Sequence, residues 1–405
     1  MSGPARQQCR DTSALLALAE QRLGAYLDGL AELVAIDSGS YSPDGVNRVA
    51  DWTAARLAAL GFATERIAVP PAHGHRSGDV VVARRSGSLP EADGGRRILL
   101  AAHLDTVFED GTAAARPLRI DGALAHGPGA SDDKGGLLAG LTALEVLDAV
   151  GLDGYAELVF LATPDEEIGS PASRSVTERT ARGMHYALAL ECARENGDLV
   201  VARKGVADYV LTVSGRAAHA GVEPERGANA ALAAARLVIA LQALNGRLGD
   251  VTVNVGVIRA GHRANIVCPE AELRVEVRSA TGAGLARGRA ALEQVAARTR
   301  VPGTSVRVEL LEVCPPMEDT PAARRILAHA LAAGEQLGLV FGAAATGGVG
   351  DANLIAGAGV PVLDGLGPVG GADHTPQEWL DVTTVPARVA LLAALIARLG
   401  DERTG

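Results

Sequence analysis

Aromatic side chains are scarce in this sequence of 405 residues, in which Phe, Trp and Tyr together make up 3%. A core built from aromatic rings is therefore excluded, and Ala, Leu and Val must fill the interior. No uncharged apolar run reaches the roughly 18 residues that a membrane-spanning helix needs, so we expect no membrane partner. With 48% hydrophobic and 21% charged residues, the composition is instead typical of a soluble, folded protein.

Cysteine and excess positive charge are also lacking. The four cysteines lie far apart without a CxxC pair, which excludes a zinc ribbon and a dense disulfide framework. The 38 basic and 48 acidic residues give a net charge of −10, so nucleic acid is not an expected partner. The N-terminal segment lacks the pattern of a secretion signal. We therefore expect a cytoplasmic protein with free thiols.

The chain is longer than the ~250–300 residues at which a single hydrophobic core stops growing, which predicts two domains. Apolar periodicity predicts helices over residues 13–36 and 44–60. Short apolar runs predict strands over 80–85, 97–103 and 156–163, with a crossover helix over 135–150. This alternation is typical of an α/β fold in which helices cover a mostly parallel sheet.

After Lys204 the pattern changes to strands that alternate apolar and charged residues around a long Ala/Leu helix over 228–244. Such alternation indicates strands with one face exposed to water, as in an α+β domain. The smaller domain is therefore predicted to be inserted into the larger one. We expect a catalytic domain formed by residues 1–204 and 315–405, interrupted by a second domain over 205–314.

Residue types that bind metals follow the predicted strands of the larger domain. In a parallel sheet, ligands bind beyond the carboxyl ends of the strands, which makes these positions the first candidates for a site. The candidates are His103, Asp105, Asp132, Asp133, Asp165, Glu166, Glu167 and Glu191, joined later in the chain by His374.

The spacing of two pairs favours a metal site, although each has a structural alternative. His103 and Asp105 lie on one face of an extended segment, so the carboxylate can orient the imidazole; the alternative is an isolated histidine at a strand end. Asp132 and Asp133 could cap the following helix, but capping explains only one of two adjacent carboxylates.

The adjacent pair Glu166 and Glu167 suits metal-assisted hydrolysis. One carboxylate can bind a cation while its neighbour faces the water on that cation and acts as a general base. A solvated acidic turn is the alternative for this pair taken alone. Two histidines and several carboxylates at successive strand ends are harder to attribute to solvation.

These segments resemble the M20 family of metal-dependent amidohydrolases and peptidases. The resemblance is closest to the glutamate carboxypeptidase branch and extends from about residue 30 to 399. It rests on several linked motifs in the order of the family, namely LLAAHLDTV, HGPGASDDKGG, TPDEEIGS, the Glu in ALEC, GRAAHAG and GADHTPQEW. The turn GGVGDAN departs from the family pattern at Val349 and Gly350, which leaves the substrate preference open.

The resemblance implies a site for two zinc ions, with Co²⁺ or Mn²⁺ as possible substitutes. Asp132 is expected to bridge both ions, and the peptide bond that follows it is expected to be cis. The implied ligands of one ion are completed by His103 and Glu191, and those of the other by Glu167 and His374. Asp105 is expected to hold His103, and Glu166 to act as the general base towards a metal-bridging water.

The resemblance also assigns roles to three residues of the smaller domain, which is expected to be ferredoxin-like and to mediate a homodimer. His219 would come from the partner subunit and stabilise the developing oxyanion. Asn265 and Arg278 would bind the substrate, with Arg278 gripping its carboxylate. From the sequence alone, Arg278 could equally belong to a salt-bridged solvent stripe, and His219 could be an ordinary loop histidine.

The resulting hypothesis is a zinc-dependent carboxypeptidase or amidohydrolase that cleaves an amide bond next to a free carboxylate. It would release an amino acid, with glutamate favoured, from an N-acyl amino acid or a short peptide. Glu191 favours carboxypeptidases and acylases over dipeptidases, according to the resemblance. One alternative is a deacylase that removes an acetyl, succinyl or glutamyl group from a biosynthetic metabolite. Another is a metal-binding scaffold without activity.

Overall fold

The computed structural model describes residues 12–298 and 301–402. The described chain divides into two units. The first comprises the described residues up to Val201, together with Asp319–Thr346 and those from Gly350 onwards. The second comprises Ala202–Glu318 and Gly347–Val349. A role of the second unit in dimerisation stays a prediction.

Helices form where apolar residues recur on one face. Within the described ranges they are α1 (Thr12–Val34), α2 (Pro43–Ala59), α3 (Thr112–Ala115), α4 (Lys134–Ala149), α5 (Arg174–Ala181), α6 (Ala230–Gln242), α7 (Gly282–Arg298), α8 (Pro321–Gln336), α9 (Asp351–Gly357) and α10 (Val385–Gly400). Within the first unit, α1, α4 and α10 pack against one another.

Strands form at the short apolar runs and at the alternating segments. In the described chain they are β1 (Ala63–Ile67), β2 (Val80–Ser86), β3 (Arg97–His103), β4 (Arg119–Asp121), β5 (Leu124–His126), β6 (Glu157–Thr163), β7 (Tyr186–Ala189), β8 (Leu199–Arg203), β9 (Gly205–Ser214), β10 (Thr252–Ala260), β11 (Glu270–Ser279), β12 (Ser305–Cys314), β13 (Ala343–Thr346), β14 (Val362–Leu363), β15 (Gly370–Gly371) and β16 (Trp379–Asp381).

The main sheet of the first unit has the order β1-β2-β6-β3-β7-β14. Strands β6, β3, β7 and β14 run parallel, whereas β1 and β2 pair antiparallel at one edge. Every residue of β3 and of β6 except the first is buried, because helices supply the apolar cover that a parallel sheet requires. The predicted α/β organisation is confirmed, and the predicted helices and strands agree with the observed bounds to within a few residues.

The second unit contains an antiparallel sheet of order β10-β11-β9-β12, against which α6 and α7 pack. The predicted alternation is clear in β11, where Ala271, Leu273, Val275 and Val277 are buried and the residues between them are more exposed. Strand β12 was not predicted, although residues 305–310 alternate polar and apolar side chains. None of its residues is fully buried.

A small sheet of order β15-β16-β5-β4 lies in the first unit and also was not predicted. Its strands have two or three residues each, too few for a periodic pattern. Trp379 pairs with His126 in this sheet, which joins the late loop containing His374 to the segment that precedes α4.

Two further expectations concern membranes and cysteines. Among the described residues, no helix combines the length and the apolar character needed to cross a membrane. Cys192 and Cys268 are buried free thiols, as predicted. Cys9 lies outside the described residues.

Candidate metal centre

The five predicted metal ligands converge at one edge of the main sheet. His103 is the last residue of β3, and Glu191 follows the end of β7 by two residues. Glu167 lies in a single helical turn, Glu166–Ile168, just after β6. Asp132 precedes α4, and His374 lies between β15 and β16. The convergence follows from topology, because the carboxyl ends of parallel strands β6, β3 and β7 meet at the same edge.

Asp132 is shared between two groups of ligand atoms. Its Oδ1 lies 2.9 Å from His103 Nε2, which is itself 3.8 Å from Glu191 Oε1. Its Oδ2 lies 3.1 Å from His374 Nε2, which is 3.0 Å from Glu167 Oε2. Each group of three could hold a metal ion. One carboxylate oxygen of Asp132 is therefore directed to each of the two groups.

The two histidines carry strongly shifted pKa values because carboxylates surround them. Burial lowers the pKa of His103, but the carboxylates of Asp105 and Asp132 outweigh it and raise this pKa well above its ordinary value. Asp132 and Glu167 raise the pKa of His374 to about 10. A cation would provide the same positive charge to these carboxylates without a proton on either ring.

The donor set fits zinc. Two imidazole nitrogens together with carboxylate oxygens are ligands that zinc binds in catalytic sites. The Glu167 side chain is only 4% exposed, and its Oε1 finds no hydrogen-bond partner among the described residues. An unpartnered, buried carboxylate oxygen is costly unless it is paired or bound to a metal. The residues present therefore suit the metal that the sequence predicts.

Asp105 connects the histidine to the acidic turn. His103 Nδ1 lies 3.0 Å from the Asp105 carbonyl oxygen and 3.4 Å from its carboxylate, so the backbone supplies the closer partner. The Asp105 carboxylate accepts hydrogen bonds from the backbone N–H groups of Glu166 (3.1 Å) and Glu167 (3.2 Å). The spacing of His103 and Asp105 predicted that the carboxylate orients the imidazole, but not the closer carbonyl contact or the hydrogen bonds to the acidic turn.

Glu166, the predicted general base, has a pKa that its surroundings raise. Burial raises this pKa well above its ordinary value, and the negative charge of Glu191 raises it further. A carboxylate with a raised pKa can accept a proton and later donate it at neutral pH.

The segment Asp132–Asp133 differs from a simple helix cap. The peptide bond between the two residues is cis, as expected. Asp133 occupies the N-cap position of α4, but its side chain makes no capping hydrogen bond and instead accepts from the His103 backbone N–H at 3.3 Å. The capping alternative is therefore wrong for this pair.

Two buried carboxylates near the centre were not assigned a role from the sequence. Glu378 accepts hydrogen bonds from the backbone N–H groups of Gly129 (2.9 Å), Ser131 (2.8 Å) and Asp132 (3.0 Å). Burial raises the pKa of Glu378 to about 7, against the lowering effect of these three bonds. Its place in the motif GADHTPQEW, four residues after His374, was the available signal.

Asp351 is the second of these carboxylates. It lies in the turn GGVGDAN and accepts hydrogen bonds from the hydroxyls of Ser170, at 2.6 Å, and Thr163. These two residues flank the acidic turn after β6. Asp351 therefore anchors the segment that carries Glu166 and Glu167.

The other three predicted site residues belong to the second unit. His219 lies in a loop after β9. A backbone hydrogen bond joins this loop to the segment that contains Asn265, because the Ala220 N–H donates to the Asn265 carbonyl at 3.0 Å. Arg278 in β11 forms a two-pronged ion pair with Glu276, with N–O distances of 2.6 and 2.9 Å, and also donates to the Gly347 carbonyl. This ion pair is the contact expected if Arg278 belongs to a salt-bridged stripe, the structural alternative, and the catalytic and binding roles stay predictions.

Comparisons with known proteins find relatives along almost the whole chain. The family model described as peptidase family M20/M25/M40 matches residues 99–398. Carboxypeptidase G2 of Pseudomonas sp. (strain RS-16) is 30% identical over 403 residues, which cover 99% of this chain and 95% of that protein. Acetylornithine deacetylase of Myxococcus xanthus is 32% identical over 266 residues, or 62% of this chain and 66% of the deacetylase.

Solved structures share the fold. The crystal structure of aminopeptidase PepT from Bacillus cereus ATCC 10987 superposes with a TM-score of 0.76 at 24% identity, covering 93% of this chain and 98% of that one.

Proposed function

The chain belongs to peptidase family M20/M25/M40, and from that premise we propose that it hydrolyses an amide bond next to a free carboxylate. The product would be an amino acid, with glutamate favoured, released from an N-acyl amino acid or a short peptide. The observation that carries this proposal is the Asp132 carboxylate, whose two oxygens face two separate ligand groups 2.9 and 3.1 Å away.

We propose that the two groups hold two zinc ions, with Co²⁺ or Mn²⁺ as substitutes. His103, Asp132 and Glu191 would hold one ion, and Asp132, Glu167 and His374 the other. When bound, such a pair polarises the amide carbonyl and activates a water for attack.

Glu166 would perform the proton transfers. It would take a proton from the attacking water and pass it to the nitrogen of the leaving amine, which departs as a neutral amine. Asp105 supports this role because it fixes the backbone N–H groups of Glu166 and Glu167. The acidic turn is therefore held independently of the metal.

Substrate recognition is proposed for residues of the second unit. Arg278 would bind the carboxylate of the released amino acid in a two-pronged contact, with Asn265 as a second binding residue. In this structure the guanidinium pairs with Glu276, so substrate binding would exchange one carboxylate for another. His219 would stabilise the oxyanion that develops on the amide.

We also propose a cytoplasmic homodimer in which His219 serves the partner subunit's site. Strand β10 is an edge of its sheet, and α6 packs against it. Ile239 on α6 is 73% exposed, Leu232 is 44% exposed, and Ile258 on β10 is 55% exposed. An unpaired strand edge beside exposed aliphatic side chains supports pairing with a second copy.

The second candidate function is deacylation of a biosynthetic metabolite. It is favoured by the similarity to acetylornithine deacetylase, a protein named for removing an acetyl group. The same metal centre would serve both reactions. A scaffold without activity remains the third candidate, and the retained Glu166 argues against it.

The deciding experiment is amino-acid release by the zinc-loaded protein from N-acyl amino acids that differ in the C-terminal residue. Release confined to glutamate or aspartate conjugates supports the carboxypeptidase function. Release only from N-acetylated basic amino acids supports the deacetylase. No release from any member would contradict both.

A further inference from the structure

Helix α10 carries a buried arginine that contacts only backbone. Arg388 is 3% exposed, and in the part of the chain that the structure describes its guanidinium donates to carbonyls and forms no ion pair. Burial lowers the pKa of Arg388 to about 10, which leaves the side chain charged at neutral pH. A buried charge without a counter-ion is costly, so its hydrogen bonds must offset the lost hydration.

The guanidinium binds carbonyl oxygens from two separate segments. One is the β14 loop, residues 365–368, where Nε donates to the Gly367 carbonyl at 2.9 Å and a terminal nitrogen donates to the Gly365 carbonyl. The other terminal nitrogen donates to the Gly197 carbonyl at 3.2 Å. The guanidinium also lies over the Phe341 ring, 5.8 Å from its centroid. The five N–H donors of a planar guanidinium can hold three carbonyls at once, a geometry that the compact ammonium of lysine does not reproduce.

The β14 loop is bonded to the Glu191 segment, which comprises residues 189–197. The Gly367 N–H donates to the carbonyl of Glu191 itself at 2.9 Å. In the opposite direction, the Ala193 N–H donates to the Pro368 carbonyl at 3.0 Å. The backbone that presents the predicted ligand Glu191 is therefore fixed by the loop that the arginine holds.

The Glu191 segment is thus held at two places. Arg388 binds its last residue, Gly197, directly and its centre through the β14 loop. At Gly367 the two backbones lie close together, because an added Cβ would be 2.5 Å from the Leu190 carbonyl oxygen and 2.9 Å from that of Glu191. A displacement of the β14 loop is therefore transmitted to the backbone of Glu191.

The other ligand group is held by different contacts. The Glu167 N–H donates to the Asp105 carboxylate at 3.2 Å. Between the β14 loop and His374, strand β15 pairs with β16. The contacts of Arg388 consequently bear on the ligand group that contains Glu191.

We infer that Arg388 is a positioning residue for Glu191 and that it controls the affinity of one of the two proposed metal positions. This inference rests on the proposed two-zinc centre. Arg388 acts through the backbone, since its side chain binds only carbonyls. Without its planar fork, buried carbonyls of the β14 loop lose their donors and the loop shifts to regain partners. Glu191 is then misplaced towards its ion, whereas the second metal position keeps its ligands.

The test is competition for zinc with a chelator that resolves two successive binding steps, in the wild type and in Arg388→Lys. Lysine keeps the charge and removes the fork. We expect one step to weaken by about 10–100-fold and the other to stay unchanged. Glu191→Ala identifies the affected step, because it removes a ligand of the same group.

Three results would overturn the positioning role and leave the two-zinc centre intact. They are two unchanged steps in Arg388→Lys, an equal weakening of both steps, and weakening of the step that Glu191→Ala leaves unchanged. A wild type that binds no zinc would instead overturn the proposed centre and the inference together.

Arg85→Lys is the matched control for the loss of a guanidinium. Arg85 likewise donates to a backbone carbonyl, that of Leu60 at 2.8 Å, and lies over the Phe62 ring at 4.6 Å. Its other partners are Tyr155 and Asp148, which belong to neither ligand group. Both zinc-binding steps should be unchanged in this variant, and weakening of either would show that any such loss disturbs the centre.

Gly367→Ala tests the same contact with the arginine in place, and it decides the question if Arg388→Lys does not fold. The added methyl would press against the carbonyls of Leu190 and Glu191. It should weaken the same zinc-binding step as Glu191→Ala. Unchanged zinc binding in Gly367→Ala would contradict transmission through the β14 loop.

Discussion

At the scale of single residues, Glu378 fixes the backbone that presents Asp132, the proposed shared ligand. One buried carboxylate accepts three backbone N–H groups from residues 129–132. Such a carboxylate fixes the loop that presents Asp132, because no neutral side chain of similar size accepts three hydrogen bonds at once. Glu378 is thus a positioning residue that acts through the backbone.

We expect Glu378→Gln to weaken zinc binding by about 10–100-fold, the range typical of residues that orient metal ligands. The amide has one acceptor oxygen and would lose at least one of the three bonds. The measurement is competition for zinc with a chelator of known affinity. Asp381→Asn on β16 is the matched control, because Asp381 accepts from Thr383 instead. Unchanged zinc affinity in Glu378→Gln would contradict the positioning role.

The protonation state of the His374 ring gives a second prediction at this scale. Without metal, Asp132 and Glu167 raise the pKa of His374 to about 10, so the ring is protonated at pH 7. Zinc requires the neutral imidazole, and binding must therefore release this proton. Apparent zinc affinity should consequently rise with pH between 6 and about 9.

Titration calorimetry in two buffers with different ionisation enthalpies measures this release directly. His374→Ala should release about one proton fewer than the wild type on binding zinc. The same release in both proteins would show that His374 is not displaced from its carboxylates by the metal.

At the scale of elements, Gly39 allows the loop before α2 to lie close to the segment after β3. A Cβ atom at this position would lie 2.3 Å from the Phe108 carbonyl oxygen, a contact that requires the backbone to move. Gly39 also pairs with Thr106 in an isolated bridge. The segment after β3 can therefore approach the loop before α2 only if residue 39 has no side chain.

We expect Gly39→Ala to lower the free energy of unfolding by about 1–3 kcal/mol, as overpacking typically does. Urea unfolding measures the change. Gly24→Ala is the matched control, because no atom of the described residues lies within 4 Å of its added methyl and Ala is favoured in the helix α1. Equal stability of the two variants would show that the segments adjust without cost.

The edge strand β10 and helix α6 give the prediction for dimerisation. Ile239→Lys places a charge on the most exposed aliphatic side chain of α6 and should shift the protein from dimer to monomer in sedimentation experiments. Activity should fall as the dimer dissociates, since His219 is proposed to act in the partner's site. Leu310→Lys on the opposite edge strand β12 should leave the dimer intact. A dimer lost only in Leu310→Lys would move the interface to β12.

At the scale of the whole molecule, the parts predicted from sequence are those with a strong local signal. Strand β3 was predicted with its observed bounds because a run of apolar residues from Ile98 to Ala102 is buried on both faces. The ligand positions followed from the ends of such strands and from linked motifs. The local sequence is therefore sufficient to predict both strand β3 and His103 at its end.

The remaining features depend on distant parts of the chain. The hydrogen bond from the Asp132 N–H to Glu378 spans 246 residues, so no local pattern predicts it. The small sheet of β4, β5, β15 and β16 is stabilised by pairing between short segments rather than by periodicity. A cavity beside Glu167 likewise requires the loop before α2 and the segment after β3 to meet.

The most direct test of the central claim is zinc content and hydrolysis measured together for the wild type and Glu166→Gln. We predict two zinc ions per chain in both proteins, with hydrolysis reduced by about 10²–10⁴-fold in the variant, the contribution of a positioned general base. Loss of zinc in parallel with activity would make Glu166 a ligand rather than the base. A wild type that binds two zinc ions and hydrolyses no N-acyl amino acid would contradict the account as a whole.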